Sequence, residues 1–221
     1  MEKDFWLKIW SEGKINFHKD TFNEYLEQFF PKLNMGSGDV LVPLCGKTKD
    51  LFWLANQGLT VWGNELSPIA CDALVKENKK KYIKYKYNDH LNLYDLNTLK
   101  VYQGDFFKMN PDLMNDLPKM DLIYDRAALV ALPFDTRKKY VSHLLKFLKP
   151  EGKIFLVSLQ YPSNAMEGPP FCVGEKEIKD LYHGLKIEKL QSHRYRHPNP
   201  DSLKDPKAAN EFYNEVYILS R

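Results

Sequence analysis

Apolar and polar positions along this chain repeat in one order: a short apolar run, a turn, then a stretch with helical spacing. Residues 39–43 (DVLVP) read as a buried strand. Beyond them Leu51, Trp53, Leu54 and Ala55 recur as on one helix, with Thr48 or Asp50 as its cap and Gly58 as its stop. Residues 60–64 form the next strand. Ser67-Pro68 then supplies an N-cap followed by proline at the first helical position, where a missing N–H costs nothing. The helix that follows carries Ile69, Ala70, Ala73 and Leu74 at helical spacing. A short strand over 100–102 leads into Gly104-Asp105, and 120–124 (MDLIY) is another strand. Residues 136–148 are patterned as an amphipathic helix with Tyr140, Leu144, Leu145 and Leu148 on one face, ended by Pro150 and Gly152. A fifth strand over 153–159 (KIFLVSL), a helix near 175–182, the stretch 185–190 and a final strand over 215–219 complete the pattern.

Runs buried on both faces, alternating with helices, imply a mostly parallel sheet covered by helices: an α/β fold. Ligands of such sheets lie beyond the carboxyl ends of the strands. That rule directs attention to 44–46, Glu65, Gly104-Asp105 and Asp125-Arg126. Residues 1–32 precede the first strand and carry Trp6, Trp10, Phe17, Phe22 and Tyr25, an aromatic arm that serves either as packing or as a lid.

The chain's 221 residues suffice for one α/β domain and not for two ordinary ones. A hydrophobic content of 43% and an aromatic content of 14% exclude a disordered chain. A net charge of +3 calls for neither a nucleic-acid nor a membrane partner. One local cluster, Lys76, Lys79, Lys80, Lys81, Lys84 and Lys86 interleaved with Tyr82, Tyr85 and Tyr87, has the make-up of a nucleic-acid patch; a solvated helix end running into a loop has the same composition. Cys45, Cys71 and Cys172 form no C-x-x-C pair and have no nearby His at ligand spacing. Disulfides and a zinc site are therefore not expected, and a reducing, cytoplasmic location is. The first ten residues lack a signal-peptide core.

Gly46-Lys47-Thr48 is not a phosphate loop, because Leu41 stands where that motif needs its first glycine. A dinucleotide fingerprint fails too, since only Gly46 is present after the first strand. What remains is a tight turn, 43–46, and a carboxylate, Glu65, at the end of the next strand. That carboxylate can accept two hydrogen bonds from a ribose diol, or it can be a solvated loop residue beside the Ser67 cap. Asp105 is equally suited to an adenine amino group and to capping a turn. Asp125 and Arg126, opposite charges beside an apolar stretch, are costly there unless paired or used; an Arg126 bonded to local carbonyls would also satisfy the pattern.

Six blocks taken in order carry a resemblance. They are W-x-x-x-W-x-x-G-x-x-x-F-H from Trp6 to His18, VPLCGK from Val42, VWGNELS from Val61, GDFF from Gly104, YDRAALVAL from Tyr124 and GPPF from Gly168. Together they resemble the thiopurine S-methyltransferase family. The resemblance implies a class I methyltransferase fold: a seven-stranded, mostly parallel, Rossmann-like sheet with helices on both faces and its last strand antiparallel. Residues 1–221 would form one methyltransferase domain, monomeric, with 1–32 as the arm. It implies that Trp10, Leu44, Glu65, Asp105 and Arg126 contact S-adenosylmethionine, that Phe17 packs by the substrate, and that Arg126 also serves the chemistry. It implies no metal, and a small thiol as acceptor, with selenium, tellurium or small sulfur species as the alternative. An RNA-associated factor or a non-catalytic cofactor binder stands further off. Residues 197–210 depart from the family: a Pro-, Asn-, Lys- and Asp-rich stretch replaces an Arg-rich one, which leaves the acceptor the least constrained part of the reading.

Overall fold

The structure is a computed structural model and describes residues 3–221. Its α-carbon contacts divide it into two compact units, residues 3–123 with Phe147–Lys149, and Tyr124–Lys146 with Pro150–Arg221.

The first unit opens with helices α1 (Lys3–Ser11) and α2 (Glu24–Phe29). It continues through strand β1 (Gly38–Val42), α3 (Asp50–Asn56), β2 (Leu59–Glu65), α4 (Pro68–Glu77), β3 (Ile83–Lys86), β4 (Leu91–Asp95) and β5 (Leu99–Gly104) to the start of β6 (Met120–Arg126). β1 pairs parallel with β2, with Val40 opposite Val61, and with β6, with Leu41 opposite Ile123. β2 pairs parallel with β5, and β3 and β4 add antiparallel strands beyond it. The central strands are apolar on both faces, and Val40, Leu41, Val61, Val101 and Leu122 are fully buried. The parallel strands therefore end on one edge, and the turn after β1, Glu65 and Asp105 all lie on it.

α4 begins where its sequence says. Ser67 Oγ accepts the N–H of Ala70 at 3.3 Å, with Pro68 following at the first turn. Its buried face is Ala70, Cys71, Leu74 and Val75, while Ile69, expected on that face, is exposed. The cap of α3 also differs from expectation. Lys49 occupies the cap position with no side-chain bond, Thr48 Oγ1 accepts the N–H of Asp50 at 3.3 Å, and the Asp50 carboxylate is buried, accepting the Asn23 N–H at 2.8 Å.

The second unit contains α5 (Phe134–Leu144), the body of β7 (Leu148–Gln160), α6 (Glu175–Leu181), β8 (Lys186–Tyr195) and β9 (Phe212–Ser220). β9 lies between β7 and β8 and runs antiparallel to both, so the last strand is reversed as expected. Helix α5 stops four residues short of the predicted end, and Leu148 opens β7 instead. The β9 ladder begins at Lys153, which leaves Pro150 and Gly152 outside it, where a missing N–H does no harm.

Among the described residues nine strands stand where seven were expected. The surplus is the β3–β4 hairpin. Every residue of β3 is exposed, so that strand has no buried face to give it an alternating signature. The lysine–tyrosine cluster thus runs from the end of α4 into an edge strand. Lys84 lies over the Tyr94 ring and 3.5 Å from Asp72, Lys86 pairs with Asp89, and Lys80 lies over Phe52.

Candidate active site

The turn after β1 is built from two residues in the left-handed region, Leu44 at φ 48° and Gly46 at φ 56°. It is fastened to the end of β2. The Cys45 N–H donates to Asn64 O at 2.7 Å, and the Gly46 N–H donates to Glu65 Oε2 at 2.8 Å. Glu65 Oε1 accepts the N–H of Ser67 at 2.7 Å. Glu65 is 5% exposed, so it is no solvated loop residue. An ionised carboxylate has about four acceptor sites, more than the N–H groups of Ser67, Gly46 and Leu66 take up, so acceptor capacity remains for a ligand. Burial raises its carboxyl to about 7, against the N–H bonds from Ser67, Gly46 and Leu66 that favour the ionised form.

The aromatic arm reaches this turn. Trp10 is buried, and a Cβ added at Gly46 would come within 3.2 Å of the Trp10 ring, so the glycine is required both for its φ and for the indole's approach. Trp10 and Trp6 each meet Phe17 edge-on, at 5.7 and 5.8 Å between ring centres. Phe17 itself is 39% exposed, the most open ring of that trio. At the other end of α1, Lys3 Nζ lies 2.7 Å from Asp105 Oδ2. Asp105 Oδ1 accepts the Phe107 N–H at 3.1 Å, so the residue caps a turn and holds an ion pair as well. A nine-residue helix is about 13 Å long, and α1 spans from the Gly46 turn to Asp105. Lys3 carried no signal in the sequence.

Asn64, next to Glu65, is the site residue that pattern reading passed over. It is fully buried, its Nδ2 donates to Tyr102 O and Gly104 O at 3.1 and 3.2 Å, and its Oδ1 has no hydrogen-bond partner among the described residues. A polar residue in a fully buried strand was the available clue. Beside the arm, Lys47 bonds both Glu77 oxygens, and His18 is held below its ordinary range by burial and by Lys47.

Arg126 closes β6 in the second unit. Its guanidinium makes no hydrogen bond or ion pair to the other described residues, so neither the expected local carbonyls nor Asp125 hold it. Asp125 is fully buried and bonds elsewhere, to the Leu129 N–H at 3.1 Å and the Tyr140 hydroxyl at 2.8 Å. A buried arginine that is bonded to local carbonyls is Arg137. Its Nε donates to Leu132 O, and its Nη1 donates to Cys172 O and both oxygens of Glu177. Among the described residues no His, Cys, Asp and Glu gather as metal ligands, and no helix is long and apolar enough to cross a membrane. All three cysteines are free thiols.

A glycine turn under an indole, a buried carboxylate with acceptor capacity to spare and an orphaned buried amide oxygen suit a ligand that carries hydroxyl and amino groups. Solved structures of this architecture agree on the class. The 1,6-didemethyltoxoflavin-N1-methyltransferase of Burkholderia thailandensis, crystallised with 1,6-didemethyltoxoflavin and S-adenosylhomocysteine, aligns at a TM-score of 0.65 and 12% identity over 99% of this chain and 87% of its own. A TehB-like S-adenosylmethionine-dependent methyltransferase of Corynebacterium glutamicum aligns at 0.55 and 16% identity, over 97% and 94%. The fold is that of the class I methyltransferases.

Within that class the sequence is more particular. The family model of thiopurine S-methyltransferase (TPMT) matches residues 1–221, and the chain belongs to that family. Thiopurine S-methyltransferases of Vibrio campbellii and Aliivibrio fischeri (strain ES114) are 39% and 40% identical to it, over 99% of this chain and 98% and 99% of their own. The protein is an S-adenosylmethionine-dependent methyltransferase.

Proposed function

We propose that the protein methylates the sulfur of small aromatic or heterocyclic thiols, thiopurines among them. The observation that carries the reading is Arg126: a guanidinium at the end of a central strand with no internal hydrogen-bond or ion-pair partner among the described residues, in a chain whose relatives are named for S-methylation. When bound, S-adenosylmethionine supplies an electrophilic methyl group on a sulfonium. Glu65 takes the ribose diol on its remaining acceptor capacity, Asp105 takes the adenine amino group, and Leu44 and Trp10 line the turn. Phe17 lies against the acceptor. Aliphatic thiols ionise at about pH 8.5 and heteroaromatic ones more readily, so the acceptor arrives largely as thiolate and needs no strong base. Arg126 favours that anion, and the remaining work is alignment of the thiolate sulfur with the methyl group.

The acceptor is a small molecule rather than RNA: Lys80, Lys84 and Lys86 of the basic stretch are engaged within the protein. A reducing, cytoplasmic setting is the one that the free cysteines suit, and the reading takes the protein as a monomer. The deciding experiment is a panel of thiols, selenols, inorganic selenium and tellurium species, and amines, assayed with labelled S-adenosylmethionine. Preferred transfer to heterocyclic thiols is expected. Transfer to selenium or tellurium species in preference would move the acceptor class, and transfer to amines alone would end the sulfur assignment.

A further inference from the structure

We propose that Asp125, backed by Tyr140, is a positioning residue for methyl transfer: its carboxylate holds the turn that presents Arg126. The inference rests on the reading of Arg126 given above. β6 ends at Arg126, and the chain turns at once through Ala127 at φ 62°, a conformation that L side chains with a Cβ seldom adopt. Something must hold that turn. Arg126 does not, since its side chain has no bonded partner among the described residues. Asp125 does: its carboxylate reaches forward to the N–H groups of Ala128 and Leu129, the latter at 3.1 Å, and so straps the two residues just beyond Ala127 to the strand end.

The carboxylate is itself fixed from outside the turn. Tyr140, one of the buried residues of α5, donates its hydroxyl to Asp125 Oδ2 at 2.8 Å. Tyr182, which ends α6, is the other titratable group facing it, with a fully buried hydroxyl that has no hydrogen-bond partner among the described residues. Successive strand residues point to opposite faces. Asp125 therefore looks into the core of this unit while Arg126 looks out, and no cation among the described residues neutralises the carboxylate. Burial raises it to about 6, with the bonds from Leu129, Tyr140 and Ala128 holding it down. Protonation removes part of its capacity as an acceptor, so the turn loosens as the pH falls through that value.

The test uses the full-length enzyme, S-adenosylmethionine and a heteroaromatic thiol already ionised from pH 5 to 9, so that the acceptor's own titration does not enter. kcat and KM are followed against pH for wild type, Tyr140→Phe, Asp125→Asn, Arg126→Ala and the Asp125→Asn/Arg126→Ala pair, alongside melting temperature and affinity for S-adenosylhomocysteine. Tyr140→Phe removes a bond that favours the ionised form, so the acid limb of kcat is expected to move up by about half a pH unit or more. Asp125→Asn is expected to lose roughly tenfold to a hundredfold in kcat with product-cofactor affinity within about threefold. The double variant should be no worse than Arg126→Ala alone, because both changes remove one presentation. Lowered melting temperatures with kcat and the acid limb unmoved in Tyr140→Phe and Asp125→Asn would overturn the proposal and leave Asp125 as scaffold. A normal kcat in Arg126→Ala would instead sink the reading of Arg126 on which it rests.

Discussion

Glu65 and Gly46 stand 19 residues apart and are joined at 2.8 Å, carboxylate to backbone N–H, in a buried setting. One side chain therefore shapes the turn after β1, and in the proposed reading it also accepts the ribose hydroxyls. Removing it should disturb the site twice, through a lost ligand contact and through a loosened turn.

Glu65→Gln is expected to weaken binding of S-adenosylhomocysteine by about tenfold to a hundredfold, the range for a charge-assisted bond of roughly 1.5–3 kcal/mol. The pH dependence has a definite sign. Ribose hydroxyls donate to the ionised carboxylate, whose protonation lies at about 7, so wild-type affinity should fall as the pH drops through 7 while that of the glutamine variant stays level. Stability runs the other way. A folded-state value raised above the ordinary 4.5 favours the fold while the group is protonated, and that contribution is lost as the pH rises toward 7. Calorimetry and melting curves from pH 4.5 to 8 on both proteins check the two slopes; a level wild-type affinity across that range would remove Glu65 from the ligand.

Gly46→Ala forces a Cβ to within 3.2 Å of the Trp10 ring at a residue with φ 56°. The strain at such a position is on the order of 1–3 kcal/mol. The variant should fold with a lowered melting temperature, and its Trp10 fluorescence should report a displaced indole. Unchanged tryptophan emission would mean that the arm does not lean on this glycine.

The ion pair between Lys3 and Asp105 predicts a response of the arm to ligand. If Asp105 takes up an adenine amino group, α1 must settle against nucleoside as well as turn, and hydrogen exchange over residues 5–17 should slow when S-adenosylhomocysteine is added. Lys3→Ala should enlarge the difference by raising exchange in the free protein. Equal protection with and without ligand in the wild type would make the arm a fixed part of the fold.

Arg126 and Arg137 make opposite predictions. Arg126→Ala should leave the melting temperature nearly unchanged and lower kcat/KM for a thiol, with Arg126→Lys recovering only part, since a point-like ammonium cannot replace a planar fork. Arg137 is buried, and its loss strands Glu177 and two carbonyls, a change that costs about 3–5 kcal/mol. Arg137→Ala should melt far lower while the folded fraction keeps its specific rate. Equal melting temperatures in the two alanine variants would contradict this division of labour.

Local chemistry was the most legible part of the sequence. Ser67-Pro68 announced the start of α4, and the apolar runs of β1 and β2 were found to within a residue or two, because caps and buried parallel strands depend on neighbours in the chain. The break between α5 and β7 was hidden by Leu144, Leu145, Phe147 and Leu148, an apolar series that fits a helix face and a strand equally well. β3 was hidden for the opposite reason, since nothing in it is buried. At the site, Asp105 caps a turn, as one of its two readings has it, and its other oxygen pairs with Lys3, a partner that nothing in the sequence pointed to. The arrangement considered for Arg126, a guanidinium bonded to local carbonyls, is found at Arg137, which shares the buried face of α5 with Tyr140 and Leu144 and is held by carbonyls and a carboxylate that only the fold brings near.

Cys45 lies inside the turn fastened by Glu65, and burial with the nearby carboxylate pushes its thiol well above the ordinary range; Cys71 is raised for the same first reason. A sulfonium methyl donor alkylates thiolates, and the thiolate is the form in which cysteine reacts. The proton stays on Cys45, whose Sγ donates to Gly46 O, so the thiol beside this turn is held in its less nucleophilic form and resistance to self-methylation is expected. Intact-mass measurement after prolonged incubation with S-adenosylmethionine alone should show no added methyl group on Cys45 or Cys71.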